Sequence, residues 1–288
     1  MRGSGRLNLS AKCQGALEPG VRLPVAHRLM SLIDMDQSRR RRARAAGPAE
    51  QVATPARPFA ALPLDSWCNA SGRNVRQLKL AKATDAVISG SHHDCVYFNH
   101  DGWLARYKIL HKGSRQILDF ILPGQVFGLP ACLFSHAPYS VLTITDANVS
   151  VISFGTVEGI FERDPALAKA LFWATVQEAA ILGEHLVDTG RRSAYERVSH
   201  LLLELGVRLN KRHWHGEMTL SIPLTQELIA DALGLTAVHV NRTLRALRHD
   251  KLIAMDGKSI IIVDFEALSL LSDFEKSYLG RASDTQLN

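Results

Sequence analysis

The chain has 288 residues, four cysteines and a formal charge of +6, a length that suits about two domains. No run of ~20 apolar residues could cross a bilayer and no apolar stretch near the start resembles a signal peptide, so a cytoplasmic protein without a membrane-spanning helix is expected. The charge is unevenly spread: residues 1–58 hold eleven Lys/Arg against four Asp/Glu, a net +7, which leaves −1 for all the rest.

Residues 1–58 show no sustained period of 3.6 or 2 and are rich in Arg, Ala, Pro and Gly, the composition of a disordered extension. The run from Arg39 to Arg44 is either a solvated tail or an extra nucleic-acid arm. Translation from Met30 or Met35 would leave part of this segment unmade.

Residues 59–163 read as a β-rich domain. From Val75 to Phe154 short apolar runs (VRQLKL, DAVIS, CVYFNHDGWLARYKIL, RQILDFIL, QVFGL, YSVLTIT, NVSVISF) are cut by Asp101-Gly102, Lys112-Gly113 and Pro123-Gly124, which are hairpin and turn signals. This spacing predicts an antiparallel barrel or β-roll. His92, His93, Asp94 and Cys95 are metal-capable types, but strand neighbours point to opposite faces, so a polar loop is the expected reading and no metal site is assigned. Cys95 and Cys132 are expected to be buried thiols.

Residues 164–190 form one long helix with Asp164 as N-cap, Pro165 in the first turn and Gly190 at its end. It carries two apolar stripes: Leu167, Leu171, Ala174 and Ile181 on one side, and Phe172, Val176, Ala179, Gly183 and Leu186 on another. A helix apolar on two sides must be covered on two sides, by the β-roll and by a second copy, or wholly within one monomer. Glu178, His185 and Asp188 interrupt the first stripe and mark the C-terminal half as a two-state element. A charge at Ala174 is expected to break a dimer. Residues 193–209 supply a further helix with Val198, Leu201, Leu202 and Leu205 inward. His213-Trp214-His215 falls in a connector, with Trp214 packed and the imidazoles solvated.

Residues 191–275 carry the strongest signal. Thr225 is a hydroxyl N-cap for a short helix through Leu233, Gly234 stops it, and Thr236 caps a second helix to about His249. Ala230 lets the two helices approach, and Val240, Leu244 and Leu247 form the inner face of the second. The outer face then presents Ala237, Val238, Asn241, Arg242 and Arg245 as a recognition helix presents its groove-facing side chains. With Thr225, Gln226, Thr236 and His239, these are the candidate DNA-contacting residues. Two apolar strands around Asp256-Gly257 form a wing, a short strand at 217–222 completes the sheet, and Lys258 at the wing tip can reach a phosphate. Region 191–260 holds eleven basic against seven acidic residues, a net +4 where the reading helix lies. Residues 276–288 are a tail.

The LTQELIADALGLT run, the VHVNRTL helix, the wing and the segments GWLARYKIL, RQILDFILPGQVFGL and GRRSAYERV resemble the Crp/Fnr family of bacterial transcription regulators over about residues 75–265. The resemblance implies a cyclic-nucleotide-binding-like sensor domain, a parallel dimer along the long helix, a palindromic operator in double-stranded DNA and contact with RNA polymerase. It implies that Arg242 reads guanine, while Val238 stands where many members place a glutamate that reads cytosine. Members that bind cyclic AMP place a ribose-binding Glu after Phe-Gly and an Arg ten residues later; here Leu129 and Tyr139 occupy those positions. No cyclic-nucleotide binding is therefore expected. Cys13, Cys68, Cys95 and Cys132 match an iron–sulfur cluster in number but not in spacing, and no cofactor is expected.

The fold class expected is α+β: an antiparallel β-roll (double-stranded β-helix) sensor, a long dimerisation helix and a C-terminal winged helix-turn-helix. The function expected is sequence-specific transcription regulation by a homodimer. A jelly-roll enzyme is the alternative of another class, but no HxH with a carboxylate, no Ser/His/Asp set and no phosphate-cradling Gly loop is present. A partner-binding protein with a degenerate reader is the third reading.

Overall fold

The computed structural model describes residues 75–134, 136–209, 218–256 and 259–279. The expectations for residues 1–58, Cys13, Cys68, the 213–215 connector, Lys258 and the last nine residues lie outside them.

Eight strands build the roll as two antiparallel sheets. One has the order β1 (Arg76–Leu80), β8 (Ala147–Ser153), β3 (Cys95–Asp101), β6 (Val126–Phe127); the other β2 (Asp85–Val87), β7 (Ser140–Thr143), β4 (Leu104–Ile109), β5 (Arg115–Ile121). The turn at Gly102 needs glycine twice over: its φ is +88°, and a Cβ there would run into the backbone of Asp146 and Ala147. Tyr97, Leu104, Ile121, Phe127, Val141, Val149 and Val151 fill the space between the sheets.

Both sheets are also covered outside, which is why their strands are apolar on both faces. Along β3, Tyr97 points into the roll while Val96 and Phe98 point out. They meet Val157 and Ile160 of α2 (Phe154–Arg163) and Leu167 and Leu171 of α3 (Pro165–Arg191). The second sheet turns Trp103, Ala105, Tyr107, Ile117 and Phe120 toward the C-terminal domain, with which they share one core.

Two short helices were not expected within the roll: α1 (Leu129–Leu133) and α2. Ser153 ends β8 and caps α2 through its hydroxyl, which accepts from the Thr156 N–H at 3.3 Å. Asp164 caps α3 as expected, accepting from the Leu167 N–H at 3.0 Å, but Gly190 does not stop that helix. The last carbonyls are instead satisfied by Arg197, whose guanidinium donates to the Thr189 and Arg192 carbonyls at 3.0 and 2.7 Å. The helix therefore runs 27 residues, about 40 Å at 1.5 Å per residue.

The two stripes of α3 part company. Leu167, Leu171 and Ile181 are buried, each worth about 1.5–3 kcal/mol. Ala174 packs with them against the roll, so a charge there would attack the monomer's own core; the Ala174 expectation is corrected. Phe172, Val176, Ala179, Gly183 and Leu186 are all exposed. Their spacing alternates between four and three, the period of a coiled-coil seam.

The C-terminal domain comprises α4 (Ala194–Leu209), β9 (Met218–Leu220), α5 (Gln226–Leu233), α6 (Ala237–His249), β10 (Ile253–Asp256), β11 (Ser259–Ile262) and α7 (Phe265–Ser272), followed by a 3-10 turn at Lys276–Leu279. Its sheet has the antiparallel order β10-β11-β9.

Candidate nucleic-acid interface and its coupling to the sensor

The reading unit is set by local chemistry. The Thr225 hydroxyl accepts from the Leu228 N–H at 3.3 Å and starts α5; Gly234, at φ 63° and ψ 36°, ends it in the left-handed region. Two residues later the Thr236 hydroxyl accepts from the His239 N–H at 3.2 Å and starts α6. Ile229, Ala230 and Leu233 meet Val240, Leu244 and Leu247 in the shared core.

That packing fixes what is left outside. Val238 is 77% exposed, and His239, Arg242, Arg245 and Arg248 are exposed beside it. Ala237, Gln226 and Asn241 are half-buried, and the Asn241 Nδ2 donates to the Gln226 Oε1 at 3.1 Å. Thr225 and Thr236 are already engaged as caps. Lys258 lies outside the described residues, so no position can be given for the wing tip.

The reader is docked on the roll. The Arg115 Nε donates to Asp231 Oδ2 at 2.7 Å, and the Gln116 amide to the Ala232 carbonyl at 3.0 Å, which ties β5 to α5. Arg197 reaches the Leu233 carbonyl at 3.1 Å while holding the end of α3. One side chain thus joins the end of the long helix to the turn of the reader.

Two buried charge clusters lie on this path; the sequence marked Glu178 and His185 as breaks in the apolar stripe but not the partners they meet. Arg106 of β4 is 2% exposed; it donates to Glu178 of α3 at 2.9 Å and stacks 4.7 Å over Tyr139. A cation is therefore present in the sensor, but the protein's own carboxylate neutralises it. The second cluster joins Asp119 of β5, His185 of α3, and Glu204 and Arg208 of α4. The Arg208 Nη1 donates to Asp119 Oδ1 at 2.8 Å and to Glu204 Oε1 at 2.9 Å. His185 donates Nδ1–H to the Leu118 carbonyl at 2.8 Å, and its Nε2 lies 3.1 Å from Glu204 Oε2.

Among the described residues, Asp119, His185 and Glu204 bring metal-capable atoms within 4.8 Å of one another. Arg208 already sits between the two carboxylates, and both imidazole nitrogens face acceptors only, which favours the imidazolium. Two cations thus balance two anions. The His92–Cys95 group forms no such site: His93 stacks on Tyr97 at 5.6 Å, and the Cys95 thiol donates to Asp94. Both thiols are half-buried rather than buried as expected; partial burial pushes the Cys95 thiol up and the Cys132 thiol up to about 12, which keeps both protonated at neutral pH.

Residues 196–271 match the Crp-like helix-turn-helix domain and residues 79–164 the cyclic nucleotide-binding domain. The chain is 30% identical over 209 residues to the transcriptional activator protein FnrL of Cereibacter sphaeroides, covering 71% of this chain and 84% of that protein. The chain belongs to the Crp/Fnr family. It is also 31% identical over 188 residues to the nitrogen fixation regulation protein FixK of Rhizobium meliloti, covering 65% and 82% of the two chains. The solved structure of FixK2 from Bradyrhizobium japonicum superposes with a TM-score of 0.62 at 28% identity, over 68% of this chain and 96% of that one. This Crp/Fnr protein is a DNA-binding transcription regulator, as its relatives are, and the jelly-roll enzyme reading falls. Among the described residues no helix is long and apolar enough to cross a membrane.

The second cluster leads to a prediction for the pH dependence of stability. Burial alone would lower the His185 pKa, but the Glu204 carboxylate outweighs it and holds the imidazole up at about 9. A group raised on folding stabilises fully below its unfolded value near 6.5 and loses that contribution as pH rises through its folded value. Urea unfolding should therefore show stability falling by about 2–3 kcal/mol between pH 6.5 and 9.5. The fall should be absent in His185→Gln; an equal slope in that variant would place the titration elsewhere.

Proposed function

We propose that the chain acts as a cytoplasmic homodimer that binds an inverted-repeat operator through α6 and activates transcription in contact with RNA polymerase. The observation that carries the reading is the bare face of Val238, His239, Arg242 and Arg245 on a capped, rigid helix. Activation is supported by the relatives, among them the transcriptional activator protein FnrL. The organisation that goes with it is a β-roll domain at 59–163, a dimerisation helix at 164–190, a winged helix-turn-helix at 191–275 and a tail from 276, with 1–58 as an extension.

In this reading Arg242 makes a bidentate contact with guanine O6 and N7, and Val238 offers only apolar contact, suited to a thymine methyl. Thr225, Gln226, Thr236, Ala237, His239, Asn241, Arg245 and Lys258 line the rest of the DNA surface. A two-fold dimer sets the half-sites about one helical turn, ~34 Å, apart. The sensor does not take cyclic AMP, because Leu129 and Tyr139 provide neither ribose acceptor nor phosphate cation and Arg106 is held by Glu178.

In vitro selection followed by gel shift tests the reading. Selection should return an inverted repeat, and Arg242→Ala should lose about 1–3 kcal/mol of discrimination at one guanine per half-site while non-specific binding persists. Recovery of the same motif with undiminished affinity by the variant would overturn the assignment of Arg242.

A further inference from the structure

Gln226 opens α5 and Asn241 lies in the second turn of α6, yet their side chains meet across the turn, Asn241 Nδ2 donating to Gln226 Oε1 at 3.1 Å. We propose that this amide pair is a specificity device: Asn241 reads one adenine in each half-site, and Gln226 is the positioning residue that fixes which way its amide faces. The inference rests on the operator reading proposed above.

The chemistry follows from counting donors and acceptors. A carboxamide has one acceptor oxygen and one NH2 group that swap places on rotation by 180°. A free surface Asn therefore presents either order to a base, and the wrong order puts its oxygen against adenine N7. With one Asn241 N–H committed to Gln226, the remaining N–H and Oδ1 form a donor–acceptor pair. That pair matches adenine, whose major-groove edge offers N7 as acceptor and N6–H as donor, and it does not match guanine, which offers two acceptors.

Gln226 is itself ambiguous until DNA arrives. It is the first residue of α5, beside the Thr225 cap, where unpaired N–H groups favour a phosphate. Phosphate oxygens only accept, so a backbone phosphate there selects the rotamer with the Gln226 NH2 outward and Oε1 toward Asn241. The order phosphate, Gln226, Asn241, adenine is then set link by link without a flip. Ala237 lies one turn before Asn241 on the same face, and its small side chain allows the close approach that a side chain as short as asparagine requires.

The test uses the full chain on operators obtained by selection, with 7-deazaadenine, which lacks only the N7 acceptor, replacing adenine at one position at a time. For the unmodified protein, one invariant A·T pair per half-site is expected, and 7-deazaadenine there should weaken binding about tenfold. In Asn241→Ala the preference at that pair and the 7-deaza effect should both vanish. In Gln226→Ala the preference should drop severalfold at that pair alone, while binding to non-operator DNA weakens only by the uniform loss of one phosphate contact. An adenine preference that survives Asn241→Ala, or a Gln226→Ala protein that discriminates as before, overturns the proposal even where Arg242→Ala behaves as expected. Failure of the unmodified protein to select any motif would sink the operator reading itself. Equal melting temperatures of the three proteins guard against loss of fold.

Discussion

Replacing Arg208 by Met is expected to destabilise the fold by about 3–5 kcal/mol. The Arg208 side chain is only 5% exposed, and its guanidinium bridges Asp119 of the roll and Glu204 of α4 while also donating to Gln125 Oε1 at 3.1 Å. Removing it leaves two buried carboxylates with one cation, His185, and an uncompensated charge in a low-dielectric site costs several kcal/mol. In the intact protein, burial would raise the Glu204 pKa, but His185 and Arg208 overcome it and hold that carboxyl well below its ordinary range. Once Arg208 is gone, relief can come only by protonation. The loss should therefore shrink at low pH, and Arg208→Met combined with Glu204→Gln should recover part of it. Urea midpoints of the three proteins at pH 5 and pH 8 decide the matter; a variant within 1 kcal/mol of the parent at pH 8 would show that the cluster contributes little.

If the proposed dimer forms along α3, Val176→Glu should turn it into a folded monomer and lower affinity for the proposed inverted repeat by about 10²–10⁴, the gain that linkage of two binding units provides. Val176 is 41% exposed in the single chain, Phe172 is 67% and Leu186 72%, and all three lie on the exposed stripe whose four-three spacing suits a seam. A glutamate there is harmless to the isolated monomer but buries an unpaired carboxylate at a two-fold seam, once from each chain, costing several kcal/mol of association. Light scattering and gel shift on one sample test both halves. A monomeric variant that keeps full affinity would remove α3 from the mechanism, and a variant that stays dimeric would move the interface elsewhere.

The reader and the joint differ in how they are built. The recognition face is a product of one short stretch, held by caps and a glycine within thirty residues of each other. The joint draws Arg106, Asp119, Glu178, His185, Arg197, Glu204 and Arg208 from strands and helices up to 102 positions apart by number. Glu178 and His185 both stand on α3, so a shift of that helix would disturb these ion pairs.

The sequence by itself determined the elements whose causes are local. Hydroxyl caps at Thr225 and Thr236, the left-handed Gly234 and the i, i+4, i+7 spacing of Val240, Leu244 and Leu247 each act within a few residues, so the helix-turn-helix was legible. So were the hairpin at Lys112-Gly113 and the N-cap at Asp164, whereas Asp101-Gly102, read as a hairpin, is a corner where the chain passes from one sheet to the other. Only the tertiary structure decided which stripe of α3 is bare, because Ala174 and Val176 look alike until the roll covers one of them. It also decided where α3 ends, since Arg197 caps it from the next helix in place of Gly190. Arg106 and Glu204 carried a faint mark, a lone charge inside GWLARYKIL and inside HLLLELGV, but periodicity names no partner. A buried charge is tolerable only when a specific counter-charge meets it, and which residues meet is a property of the folded chain.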